Sequence, residues 1–432
     1  AAARLQVRVS REGYQPEQAL HERSRRTGQE VADWFAGAQP VAARALMIAI
    51  AVFEHRPYAE VRQAAFALER RMHDPDLRWI WRYWPPNLFA DARDGRLDQV
   101  RAEVRTSSAD DHDVVRFVRP GWGAEVLDCV WRQYERLRPV LRDWLEAFCL
   151  ETSSYGADAH RRAAEVLGNL VGRERDPDPV GDFESWAESP KSILREMAAA
   201  ALGRIAEAQQ PRNAGLVRHR LNDWSAPGSP VAKRLTAALA YGRAFGVTQP
   251  RYALRQLGSL TKRSDAHLRD VIIQGVLALV REPANRPEVL EELVEWTSPT
   301  NAWTRRQVGL ASALWVLGLA GGSKADNRVY RVGITDDERT RTLTRALLRN
   351  LMDDRRLRPK ITSGLLDWAA CAEREPALVP GFRSLLHAAL APPDDQVSRR
   401  ISFDIRRLLY DEPETVGPLC TSVDEVLGRF AQ

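Results

Sequence analysis

Apolar residues recur along most of this chain at the spacing of an α-helix. Between Tyr58 and Met72 they fall at positions 58, 61, 65, 68 and 72, one turn apart each time. Val41 to Phe53 is apolar almost throughout and follows Pro40, which predicts a buried helix with proline just outside its start. His55-Arg56-Pro57 interrupts the two. Val100 to Arg105 and Val114 to Val118 instead alternate, separated by the polar stretch Thr106 to Asp113, and predict a hairpin. Glu125 to Phe148 reads as one long amphipathic helix interrupted at Pro139. The first 40 residues are polar, with a short strand expected at Leu5 to Val9.

From there the pattern repeats. Leu141-Arg142-Asp143-Trp144, Phe183-Glu184-Ser185-Trp186, Leu221-Asn222-Asp223-Trp224, Leu257-Gly258-Ser259-Leu260, Leu293-Val294-Glu295-Trp296 and Leu365-Leu366-Asp367-Trp368 are versions of one phrase, with Leu once in the tryptophan slot. Successive slots lie 42, 38, 36, 36 and 72 residues apart, the last interval being twice 36. A fixed period of this size is the mark of stacked helical repeats. The expectation is a large aromatic at the end of each first helix, wedged between consecutive repeats. A ladder of stacking platforms for bases or peptide is the competing reading.

After each phrase a second helix is expected. Leu194 to Gly203 and Lys233 to Gly242 are counterparts, Leu268 to Val271 and Arg305 to Val308 continue the series, and Gly203 and Gly242 fit helix C-caps. Arg195, Arg234, Arg269 and Arg306 stand near the starts of these second helices. A second helix with Arg near its start, then Ala and Leu at helical spacing, is similar to the HEAT repeat and its relatives over about residues 140–430. The resemblance implies a mostly α fold, a right-handed α-solenoid of HEAT-like repeats. The four arginines either brace the neighbouring repeat through an acidic residue, or project in a row as a binding surface for an acidic partner. The Gly-rich stretch from Ala320 to Thr335 breaks the period and reads as an insertion. The segment from about Pro393 reads as a degenerate cap.

Composition alters this picture little. The chain has 432 residues, 44% of them hydrophobic, and a net charge of +5. Of the 63 basic residues only Lys191, Lys233, Lys262, Lys324 and Lys360 are lysine, and 58 acidic residues are interspersed among the arginines. A solvated, ion-paired surface is the expectation rather than a nucleic-acid face. Cys129, Cys149, Cys371 and Cys420 are far apart with no CxxC spacing, which suits reduced, buried thiols in a cytoplasmic protein. No apolar run is long enough to predict a membrane span. The chain begins with Ala1 rather than Met, which leaves two expectations open, a piece of a longer protein or a stand-alone adaptor.

Candidate chemistry is sparse. Gly318-Leu319-Ala320-Gly321-Gly322-Ser323-Lys324 has the glycines of a phosphate loop without its Gly-Lys-Ser/Thr ending and is read as a loop. Asp110-Asp111-His112-Asp113 resembles a metal cluster, but it falls in the expected hairpin loop with no partner motif. The expectation is no catalytic residue, no metal and no cofactor.

Helix, turn, helix and hairpin over residues 41–125 resemble a winged-helix domain, which divides the chain into a polar segment 1–40, a winged-helix-like domain 41–125 and repeats 126–432. The stretches Val41 to Met72 and Val114 to Trp144, together with the tryptophan phrases, resemble in arrangement the C-terminal half of STAND-type signal-transduction ATPases, multidomain proteins common in actinobacteria. The resemblance implies a regulatory or sensor platform whose partner is another protein; the ATPase core has no counterpart here. The alternative is a nucleic-acid-binding protein: either similar in outline to the HEAT-repeat DNA glycosylases, or a winged-helix DNA reader regulated by its repeats.

Overall fold

A computed structural model describes residues 16–72, 92–106, 113–151, 157–173, 178–208, 211–320 and 338–390, with the single residues 399 and 403. The chain divides into two compact units. The first comprises residues 1–179 and 208–210, the second 180–207 and 211–432. The described residues are mostly helical, and their strands form a single two-stranded sheet.

In the first unit, α1 (Pro16–Ala36) precedes α2 (Val41–Val52) and α3 (Tyr58–Met72). A short α4 (Arg93–Gln99) then leads into β1 (Ala102–Thr106), β2 (Asp113–Phe117), α5 (Trp122–Gln133), α6 (Leu137–Glu151) and α7 (Ala157–Arg173). Helix α2 is apolar all round and therefore central. Ala43 and Ala45 through Val52 are buried, and the helix packs on α3 and α5. The polar segment expected at 1–40 is a helix where it is described. Val31, Trp34 and Phe35 give α1 a narrow apolar stripe, which is buried, and the helix packs on α5. The strand expected at Leu5 to Val9 lies outside the described residues.

The two expected helices and the hairpin form within two residues of their expected bounds. The register runs Ala102↔Phe117 to Thr106↔Asp113, antiparallel. A third segment, residues 55–57, joins them. His55 N donates to Val115 O at 2.8 Å, Val115 N donates to Arg56 O at 2.9 Å, and Pro57 bridges Val114. The expected long helix from Glu125 is instead two, because the chain breaks at Tyr134. Pro139 sits in the first turn of α6, where a missing N–H costs nothing.

Trp144 corrects the repeat boundary. It lies in the middle of α6, fully buried; its Nε1 donates to Ala64 O of α3 at 3.0 Å and its ring meets Phe53 edge-on at 6.0 Å. It is a core residue of the first unit, so the division falls at 179/180 rather than at 125/126.

The second unit runs α8 (Glu184–Ala187), α9 (Ser192–Glu207), α10 (Pro211–Ser225), α11 (Val231–Tyr241), a short α12 (Ala244–Thr248), α13 (Pro250–Leu260) and α14 (Ala266–Arg281). It continues with α15 (Arg286–Thr297), α16 (Trp303–Val316), α17 (Glu338–Asp353), α18 (Arg358–Arg374) and α19 (Val379–Leu390). Helices pack in chain order in two layers. One layer runs α10, α13, α15, α17, α19; the other runs α9, α11, α14, α16. Trp186, Trp224, Leu260 and Trp296 each close a helix of the α8, α10, α13, α15 series, and all are buried.

Trp368 does not belong to that set. It is buried but lies mid-helix in α18. A Cβ on Gly364 would come within 2.4 Å of Leu319 O, so α18 lies against the end of α16. The interval of 72 residues matched the period without placing the residue in an equivalent position.

The glycines also differ from expectation. Gly203 is interior to α9. Gly242 follows α11 with a right-handed φ of −81°, so it is no left-handed cap. Its function is close approach: a Cβ there would lie 2.3 Å from Gly275 Cα on α14. The left-handed cap is at Gly318, φ 66°, where Leu319 N donates back to Leu314 O at 2.8 Å. That Gly-rich run therefore begins as the end of α16; residues 321–337, with the rest of the expected insertion, lie outside the described residues, as does nearly all of the expected cap from Pro393.

Candidate functional site

The four arginines occupy one register position. Arg195, Arg234, Arg269 and Arg306 are each the fourth residue of α9, α11, α14 and α16, helices that pack side by side. The guanidinium groups of Arg195, Arg269 and Arg306 turn back to carbonyl oxygens. Arg195, which is buried, donates to Ser189 O at 2.7 Å and Pro190 O at 2.8 Å in the turn after α8, and burial lowers its pKa from the ordinary arginine value. Arg306 donates to Thr297 O, the last residue of α15, at 3.3 Å. Arg269 donates to Asp265 O at the start of its own helix at 3.2 Å. Arg234 is half-buried and also partnered.

The same device recurs elsewhere. Arg44, fourth in α2, reaches Phe35 O and Gly37 O at the end of α1. Arg138 donates to Trp131 O at 2.8 Å, Arg286 to Val280 O at 3.3 Å and Arg358 to Met352 O at 2.8 Å, each near the end of the preceding helix. A cation there satisfies orphan carbonyls and complements the negative end of the helix dipole. Part of the arginine bias of the sequence is thus structural.

Trp186, Trp224 and Trp296 are buried and present no open face to a ligand. Around Trp296, a Cβ on Gly258 of α13 would sit 3.0 Å from the ring, and one on Gly309 of α16 would sit 2.8 Å from Trp296 Cβ. The tryptophan is thus gripped between its predecessor and its successor. Its Nε1 donates to Glu292 Oε1 at 3.0 Å, and Arg305 lies 5.7 Å over its ring and 3.5 Å from the same carboxylate. Glu292 is 15% exposed; burial raises its pKa despite the opposing Trp296 hydrogen bond and Arg305 charge.

Ion pairs cover much of the surface. Lys233 bridges Glu184 and Glu188 at 2.7 Å each, and both hydrogen bonds raise its pKa. On the hairpin, Glu103 faces Arg116 across the ladder and Arg105 along its own strand; the Arg116 hydrogen bond leads in lowering its pKa. Of the suspected acidic cluster, 110–112 lie outside the described residues, and Asp113 accepts from the Thr106 hydroxyl at 3.0 Å. Among the described residues no group of three His, Cys, Asp or Glu could hold a metal ion, and no helix is long and apolar enough to cross a membrane. Cys129 is buried, and burial raises its pKa; Cys371 is half-buried, and the other two cysteines fall outside the described side chains.

Two features were not anticipated. Trp303 and Val231, the first residues of α16 and α11, are 60% and 44% exposed, so large apolar side chains stand at matching positions along one edge of the layer. In the first unit, Arg26, Arg101 and Arg119 converge on the single carboxylate of Glu30. These four residues are spread from 26 to 119, and no local motif joins them. The left-handed backbone of Arg101, φ 55°, is the one local irregularity there, and it is visible only in three dimensions. No protein-family model matches this chain, and no curated protein matches it.

Proposed function

We propose that the chain is a non-enzymatic interaction platform in which the second unit is a right-handed HEAT-like α-solenoid. The observation that carries this is the chain-order packing of two helix layers, with an arginine at the same position in four successive helices of one layer. Such an array presents an extended surface to a partner. Because Arg195, Arg269 and Arg306 are engaged with carbonyl groups, the edge bearing Val231 and Trp303 is the better docking position for a protein partner. In this reading the whole is the regulatory half of a cytoplasmic STAND-type signalling protein, as the arrangement of the sequence suggests. The test is affinity capture from native cytosol with wild type and Trp303→Glu. A specific partner lost in the variant, with helicity unchanged, supports the reading; capture indifferent to Trp303 and Val231 sinks the proposed edge.

A second reading concerns the first unit. Helix, extended segment, helix, helix and hairpin, with Pro57 bridging Val114, is the order expected of a winged helix, which suits a reader of DNA. Duplex titration at two salt concentrations separates the readings. Binding that weakens steeply with salt favours nucleic acid, because phosphate contacts release counterions.

A further inference from the structure

The arginine cluster of the first unit lies at the foot of the hairpin, where Ala102 pairs with Phe117. The other end of the ladder, Thr106 opposite Asp113, is four residues away, about 14 Å at ~3.4 Å per residue. Two clefts of about 440 and 420 Å³ adjoin the cluster and share Arg119. One is lined by Asp98, Arg101, Val118 and Trp122, the other by Arg26, Thr27, Glu30 and Pro120.

The donors outnumber the acceptors. Three guanidinium groups carry about fifteen N–H donors, while one carboxylate offers about four lone-pair positions. Arg101 approaches Glu30 at 3.8 Å and Arg26 at 3.6 Å, both too long for strong hydrogen bonds, while Arg119 contacts it directly. The Arg101 guanidinium is held 4.9 Å over the ring of buried Trp122. Its backbone is left-handed, uncommon for a residue with a side chain, and such conformations cluster at functional sites. The nearby start of α5 is not the anion site, because the Glu54 carboxylate already lies beside Gly123 there.

We infer that Arg26, Arg101 and Arg119 form an oxyanion site for a phosphate group, either free phosphate or a phosphate monoester, in which Glu30 holds the guanidinium groups together until the ligand takes their unused donors. A tetrahedral dianion carries more charge and more acceptor positions than one carboxylate, so it takes up donors that Glu30 leaves over. The site lies at the hairpin end away from its tip, so it is independent of the winged-helix reading and of the protein-docking edge.

The test is calorimetric titration of the full chain with inorganic phosphate and, separately, with phenyl phosphate, against chloride at matched ionic strength. Saturable binding at least tenfold weaker in Arg119→Gln and in Arg101→Gly is expected; glycine tolerates the left-handed backbone at position 101 while the whole arginine side chain is removed. Glu30→Gln removes the competing carboxylate and is expected to tighten binding severalfold, a gain that misfolding cannot produce. Binding of phenyl phosphate alone identifies a monoester as the ligand, and equal binding of both identifies the bare dianion. The inference is overturned if neither anion binds beyond chloride, if the arginine variants bind as well as wild type, or if Glu30→Gln leaves affinity unchanged. Loss of duplex DNA binding in the same arginine variants would also overturn it, by assigning the cluster to a nucleic-acid surface.

Discussion

Trp296 shows what one large aromatic does between packed helices. Glycine on both sides leaves room for the indole and for nothing larger, so the ring is fully enclosed. Trp296→Ala should lower the unfolding free energy by about 3–5 kcal/mol in urea, the usual cost of deleting a large buried aromatic. Glu292 beside it makes a second, signed prediction. Burial raises its folded-state pKa, so the folded protein holds this proton more tightly than the unfolded chain. Its contribution is therefore fully present below the unfolded value of about 4.3 and is lost as pH rises through the folded value. Glu292→Gln still accepts from Trp296 Nε1 and carries no charge. It should melt above wild type at pH 7, with the difference closing as pH falls toward 4. A variant less stable at pH 7 would mean that Arg305 outweighs burial. At this scale the sequence is a partial guide. It disclosed that the tryptophans are periodic; it could not disclose that Glu30 gathers arginines from three separate places.

At the scale of elements, the sequence located the helices well and their ends less well. Helices α2 and α3 and the hairpin were legible because their apolar periods differ, 3.6 against 2. Helix α1 was obscured because its buried apolar residues among the described side chains, Val31, Trp34 and Phe35, stand in a mostly polar sequence. The fourth-position arginines were legible as a series, but their targets were not, since a carbonyl at the end of the previous helix is fixed by turn geometry rather than residue type. The energetic weight of these contacts should follow burial and bond number. Arg195 is buried with two short bonds, whereas Arg269 has one longer bond to its own helix. Equilibrium denaturation of Arg195→Met should show a loss of about 2–3 kcal/mol, since a charged donor's bonds are each worth about 1.5–3 and leave carbonyls unsatisfied. Arg269→Met should cost under about 1 kcal/mol. At the start of the same helix, the Asp265 side chain accepts from Leu268 N at 2.8 Å. Asp265→Ala should cost about 1 kcal/mol, the ordinary value of an N-cap.

At the scale of the whole molecule, the two units hold their cores by different means. The first is centred on one apolar helix, α2, around which sequence-distant elements gather. Among the described residues the second has no such centre, because each helix packs chiefly on its neighbours in the chain. Stability in an array of that kind is close to a sum of local and nearest-neighbour terms, so damage should stay local. Trp224 is buried at the end of α10, which packs on α9, α11 and α13. Hydrogen exchange of Trp224→Ala should therefore show lost protection in α8 through α13, while α17 and α19 keep wild-type rates. Uniform loss across the unit would mean that it unfolds as one globular core, and the repeat reading would fail with it. The same experiment bears on why the phrase misled at Trp144 and Trp368. Leu, an acidic residue and Trp in sequence describe any amphipathic turn that buries an aromatic. Only the neighbours on either side, which exchange reports and composition does not, make such a turn one unit of an array.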